Sequence, residues 1–119
     1  YAAAEQFLDE TSYLAMVETA GEATYLYGDG RNNPCQCHGL TGGADLLFEL
    51  YRRTSDPMWL ERGADFVERI LAYRRPAAAG DFWQADRPGV ASPEFMNGAS
   101  GVGHFLLRLL SPGLRMPLL

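Results

Sequence analysis

The 119-residue chain has no lysine, only two cysteines and no long apolar run, and each shortage argues against a class of protein. All ten basic residues are arginine and the net charge is −5, so broad attraction to nucleic acid or an anionic membrane is not expected. Cys35 and Cys37 are too close in sequence to close an unstrained disulfide. The absence of a leader, a lipidation motif and an apolar run of about 18 residues predicts a soluble, cytoplasmic protein with no membrane span.

The remaining composition is that of one folded domain. Apolar residues make up 47% of the chain and charged residues 21%, which is typical of a globular protein with a substantial core. Spacing of the apolar residues predicts an all-α fold, with an ordered loop at 75–96 that contains a short extended segment at 81–84. The predicted helices span residues 12–27, 40–53, 58–74 and 97–110.

The four helices differ in their predicted exposure. The first is one-sided, with Thr11 or Ser12 as its N-cap. The second and fourth are apolar around most of their circumference and are expected to be buried. The third begins at the cap Asp56-Pro57 and is expected to lie outside. The predicted apolar face of the first helix consists of Tyr13, Met16, Val17, Ala20 and Ala23.

The segment at 35–43, Cys-Gln-Cys-His-Gly-Leu-Thr-Gly-Gly, precedes the second helix and is the main candidate for chemistry. Thiolate and imidazole are ligands that zinc prefers, and glycines allow a sharp turn or a close backbone approach. Cys37 and His38 are the candidate ligands.

An internal repeat separates scaffold from function in this segment. Residues 38–50 align with residues 97–109 at an offset of 59, which matches Gly39 with Gly98 and Thr41 with Ser100. This offset holds an inner helix, an outer helix and a loop, and therefore predicts about two stacked helical hairpins in one domain over 1–119. The counterparts of Cys37 and His38 are Met96 and Asn97, so the repeat does not require the thiol or the imidazole.

The order of these motifs resembles the C-terminal part of the lanthionine synthetase cyclases, the LanC-like family. The resemblance rests on Cys37-His38-Gly39 followed by Leu-Thr-Gly and an apolar helix, then Asp56-Pro57-x-Trp59-Leu60, and then the glycine motif at 96–103. It covers the chain from about residue 12 to the end. It implies part of an α/α toroid, a ring of inner and outer helices around a zinc ion.

The resemblance also implies a reaction. In the family, zinc holds the thiol of a cysteine in a precursor peptide as thiolate, which adds to a dehydroalanine or dehydrobutyrine of the same peptide and closes a thioether ring. Cys37 and His38 would be two of three protein ligands. The product must be protonated, so an acid is expected nearby.

Three parts of the family pattern have no match in this sequence. The third ligand, a Cys in a preceding glycine-rich turn, and the upstream acid/base His and Asp would lie before residue 1. Two hairpins also cannot close a ring of seven. We therefore expect either a segment of a longer synthetase or a shortened relative whose ring is completed by another chain.

Other residues carry candidate roles beside a simpler structural alternative. Cys35 is a candidate for the missing ligand, although three ligands within four residues strain a tetrahedral site. His104 is a candidate acid or a satisfied core histidine, and Trp83 either contacts peptide or anchors its loop. Cys37 and His38 have an alternative as a buried thiol and a capping imidazole. Asp29, Arg31 and Asn32 flank the turn and are candidates for substrate contact.

Two further functions stay open at this point. One is a non-catalytic module that keeps the hairpin scaffold and binds a peptide or partner chain. The other is an enzyme of the same scaffold that adds glutathione to dehydrated residues. Metal content separates the first from the cyclase, and the mass of a dehydrated peptide after reaction with added thiol separates the second.

Overall fold

The structure, a computed structural model, describes residues 10–28, 33–84 and 89–111. Within these ranges the chain is mainly helical, which confirms the all-α fold class. The elements are α1 (Glu10–Tyr27), α2 (Leu40–Thr54), α3 (Pro57–Ala72), β1 (Arg74–Arg75), β2 (Phe82–Trp83) and α4 (Ala99–Leu110).

The α2–α3 hairpin is the centre of the fold. Ser55 ends α2 in the left-handed region at a φ of 58°, and its amide donates to the Tyr51 carbonyl at 2.8 Å. Asp56 then accepts from the Met58 amide at 2.9 Å and Pro57 occupies the first turn of α3, as the sequence predicts. A two-residue connection folds α3 back along α2, which also contacts α1 and α4.

The core lies between α2, α3 and α4. Its buried apolar residues are Leu40, Ala44, Leu47, Leu50, Trp59, Phe66, Ile70, Val102 and Phe105. Only one face of α4 is buried, because Leu107 and Leu110 are exposed on its other side. The expectation of an all-round buried last helix is therefore wrong for the described residues.

The face by which α1 packs agrees only in part with the predicted one. Val17 of the predicted face packs against the core, as does Tyr25, whereas Met16, Ala20 and Ala23 are exposed. The buried Gly21, which is not part of the predicted face, also lies against the hairpin. A Cβ at Gly21 would lie 2.9 Å from the Trp59 ring and would overlap the Leu50 side chain. The absence of a side chain lets α1 approach the hairpin, and apolar spacing cannot reveal such a contact. Thr11 and Ser12 both lie inside α1, so neither is its N-cap.

The predicted extended segment at 81–84 contains β2. It pairs antiparallel with β1, with Arg74 opposite Trp83 and Arg75 opposite Phe82. The sequence did not indicate β1, because a two-residue strand is too short to show alternation.

Candidate functional site

The turn at 33–39 is held by three hydrogen bonds, two of which join it to the beginning of α2. The Leu40 amide donates to the Asn33 carbonyl and the Cys35 amide to the Asn33 side chain, both at 3.0 Å. The buried Thr41 hydroxyl donates to the Pro34 carbonyl at 2.5 Å. These bonds fix the backbone on both sides of Cys37 and His38.

The turn at 92–98 makes the same three bonds 59 residues later. The Ala99 amide donates to the Ser92 carbonyl at 2.8 Å, and the Glu94 amide to the Ser92 hydroxyl at 3.2 Å. The Ser100 hydroxyl donates to the Pro93 carbonyl at 2.6 Å. The two turns are therefore equivalent in hydrogen bonding, although Ser92 replaces Asn33 and Glu94 replaces Cys35.

Glycine is needed in both turns because the backbone folds tightly against itself. A Cβ at Gly39 would lie 2.7 Å from the Cys35 amide nitrogen, and one at Gly98 would lie 2.8 Å from the Glu94 carbonyl oxygen. Neither glycine has a positive φ, so close approach is the reason for glycine at both positions.

The two thiols of the first turn differ in access. Cys35 is 0% exposed and packs in the interior, whereas Cys37 is exposed and His38 is half-buried. The alternative of a buried thiol at Cys37 is thus wrong. Within residues 10–28, 33–84 and 89–111, no three His, Cys, Asp or Glu side chains are grouped so that they could hold a metal ion. Cys35, Cys37 and His38 therefore do not form such a group.

Cys37 and His38 nevertheless fit part of a zinc site. They supply one thiol and one imidazole from adjacent positions of a fixed turn, and the thiol is accessible. The described residues supply no third ligand next to them. Cys35 as the third ligand stays a prediction; its thiol is buried, whereas the Cys37 thiol is exposed.

The second turn and α4 hold the first turn from one side. The Cys37 amide donates to the Met96 carbonyl at 2.9 Å. Between the two cysteines, the Gln36 side chain donates to Asp45 Oδ2 at 3.0 Å, and Arg108 Nη1 donates to both oxygens of Asp45 at 2.6 and 2.9 Å. We call Gln36, Asp45 and Arg108 the bracing cluster.

The bracing cluster was missed at the sequence level. The available signal was the charge of Asp45 and Arg108, one on each of the two helices expected to be buried. Charged residues in such helices usually have a partner when they are buried. Asp45 and Arg108 are 63 positions apart in the sequence, and nothing in the sequence indicated that they pair with each other.

His104 lies on α4, where its ring contacts Phe95 edge to face with 5.5 Å between the ring centroids. Among the described residues, its buried Nδ1 has no hydrogen-bond partner, and neither has the Oδ1 atom of Asn97, the counterpart of His38. The role of His104 as an acid stays a prediction, as does its alternative as a satisfied core histidine.

Among the remaining candidates, the structure describes Trp83. The Trp83 indole donates to the Ile70 carbonyl at 2.7 Å and its ring packs against the core, which are the contacts of a loop anchor. A contact between Trp83 and substrate stays a prediction. Asp29, Arg31 and Asn32 lie outside the described residues.

Comparison with known proteins gives the family. The family described as "Lanthionine synthetase C-like protein" matches residues 1–118, so this chain belongs to the LanC-like family. No curated protein and no solved structure matches the chain significantly. In the described part of the chain, no helix has both the length and the apolar character required to cross a membrane.

Proposed function

We propose that this chain supplies Cys37 and His38 as zinc ligands to a LanC-like cyclase that forms thioether rings in a precursor peptide. The observation that carries the proposal is an exposed thiol beside a half-buried imidazole in a rigid turn, within a chain whose family match covers residues 1–118. When bound, zinc would stabilise the thiolate form of the substrate cysteine near neutral pH.

The chain's own part in this reaction is to present the two ligands in a fixed geometry. The hydrogen bonds from Leu40 and Thr41 to the turn restrict the backbone that carries Cys37 and His38. The third ligand then comes from outside the described residues, either from the remainder of the cyclase or from another chain. A site that keeps one position for substrate needs three protein ligands, so this contribution is necessary.

The second part of the reaction is a proton transfer. When the substrate sulfur bonds to the β-carbon of dehydroalanine or dehydrobutyrine, the α-carbon must accept a proton. We assign this role to His104 as a candidate, because it is half-buried on α4 and its Nδ1 has no internal partner. Asp29, Arg31, Asn32 and Trp83 are the candidates for contact with the peptide.

A non-catalytic interaction module is the second candidate function. It is favoured by the lack of a three-ligand group among the described residues. On this alternative the chain retains the hairpin scaffold and binds a peptide or a partner chain without metal.

Metal analysis of the full-length protein decides between the two functions. We expect about one zinc ion per chain, which is lost in Cys37→Ala and in His38→Ala and retained in the matched control Cys35→Ala. A full-length protein without zinc would leave the interaction module as the function. A cyclase incubated with a dehydrated peptide should convert the free thiols of the peptide to thioethers without changing the peptide's mass. An enzyme that adds glutathione to dehydrated residues would instead increase the peptide's mass.

A further inference from the structure

We propose that Asp45 and Arg108 are positioning residues that hold the Cys37–His38 turn in place through Gln36. The inference rests on the proposed function, since it concerns how the two zinc ligands are held. It assigns a role to three residues that are neither ligands nor in contact with substrate in the proposed reaction.

Gln36 lies between Cys35 and Cys37 in the turn. Gln36 is only 7% exposed, and its Cβ lies 3.0 Å from where a Cβ would stand at Gly101 of α4. Its amide nitrogen donates to Asp45. The side chain next to Cys37 is thus held by close packing at its base and by one hydrogen bond to a carboxylate at its tip, while its buried Oε1 has no hydrogen-bond partner among the described residues.

The Asp45 carboxylate is itself held by Arg108. The side chains of Arg108 and Asp45 are only 14% and 16% exposed, and one guanidinium nitrogen contacts both carboxylate oxygens. In contrast to an ion pair on the surface, a largely buried pair is costly to break, because the remaining charge has no solvent to compensate it. Asp45 therefore offers Gln36 an acceptor in a fixed place.

The backbone of Cys37 provides a separate link to the second turn. The Cys37 amide donates to the Met96 carbonyl, so backbone and side-chain bonds join the ligand turn to the second turn and α4. Metal ligands need to be held closely in their productive geometry, and the residues that orient them affect metal affinity. The bracing cluster thus makes zinc affinity depend on the packing of one repeat against the next.

Two variants of the full-length protein test the inference. Gln36→Ala removes the link and leaves the ion pair intact, whereas the double variant Asp45→Leu/Arg108→Leu removes the pair without leaving a lone buried charge. The control is Glu22→Leu/Arg62→Leu, which removes a more exposed ion pair of 2.6 Å between α1 and α3, together with the contacts of Arg62 with the Tyr25 and Trp59 rings. Thermal unfolding of the unmodified protein and of the three variants establishes that each is folded.

Two measurements keep the inference separate from the proposed function. Hydrogen–deuterium exchange of the Cys37 amide in metal-free protein reports on the turn alone, and titration with Co²⁺ reports on the ligands through the thiolate charge-transfer absorption. We expect faster exchange at Cys37 and about tenfold weaker Co²⁺ binding in both variants, with neither change in the control.

The outcomes separate clearly. Exchange and Co²⁺ affinity equal to those of the control in both variants would overturn the positioning role. If the unmodified protein gives no cobalt–thiolate absorption, the proposed zinc site fails, and the exchange rate alone still decides whether the cluster holds the turn. Exchange that accelerates equally in the control variant would show general loosening of the fold and would also overturn the inference.

Discussion

The Cys37 amide and the Met96 carbonyl form a hydrogen bond of 2.9 Å, although the two residues occupy equivalent positions in two successive turns. The turn with the candidate ligands is therefore in direct contact with its own counterpart. The counterpart has methionine and asparagine where the first turn has cysteine and histidine, so only the first turn carries the candidate ligands, and the second turn supports it.

The equivalent hydroxyls of the two turns should contribute unequally to stability. Thr41→Val removes a fully buried hydrogen bond to the Pro34 carbonyl and should lower the free energy of unfolding by about 1–2 kcal/mol. Ser100→Ala removes the same bond at an exposed position, where water replaces the donor, and should change it by less than about 0.5 kcal/mol. Urea unfolding measures both, and equal losses would contradict the prediction.

Two glycines should respond to alanine in opposite directions. Gly39→Ala places a Cβ against the backbone of the turn and should destabilise the protein by about 3 kcal/mol or more. Gly103→Ala on α4 meets nothing within 4 Å and should stabilise it by about 0.5–1 kcal/mol, because alanine favours the helix. Thermal denaturation of the two variants tests both signs, and a tolerated alanine at position 39 would refute the close approach described above.

The two cysteines should differ in reactivity. Iodoacetamide should modify Cys37 in the native protein and should reach Cys35 only after unfolding, since Cys35 is 0% exposed. Peptide mapping by mass spectrometry identifies the modified residue. Zinc added beforehand should slow the reaction at Cys37, whereas Cys37→Ser should show no native modification at all. Rapid native labelling of Cys35 would show that the turn opens.

Trp83→Phe should separate an anchoring role from a binding role. The change keeps an aromatic ring but removes the indole N–H that donates to the Ile70 carbonyl. It should lower the free energy of unfolding by about 1 kcal/mol. Urea unfolding measures the loss, with binding of a fluorescent precursor peptide measured in parallel. Unchanged stability with weakened peptide binding would favour the substrate contact instead.

Most of the fold could be predicted from a few residues that fix where helices begin and end. Asp56 and Pro57 begin α3, Gly39 and Gly98 precede α2 and α4, and the predicted boundaries of these three helices lie within two residues of the observed ones. These signals are local, because a cap or a turn depends on neighbours in sequence. The packed face of α1 could be predicted only in part, since it includes Gly21, a residue with no apolar side chain.

The candidate site, like the fold, could be predicted only in part from the sequence. The location of Cys37 and His38 at the beginning of an inner helix followed from the glycine motif and its repeat. The difference in exposure between Cys35 and Cys37 did not, because it depends on which side of the turn faces the core. The bracing cluster required the relative placement of two helices, which one sequence does not reveal.

The bond between Cys37 and Met96 also has a consequence in time. Synthesis proceeds from the N-terminus, so Cys37 is made 59 residues before its hydrogen-bond partner and Asp45 is made 63 residues before Arg108. While the chain is growing, the thiol is present before the contacts that hold its turn exist. The proposed capture of metal in this geometry therefore follows completion of the second turn and α4.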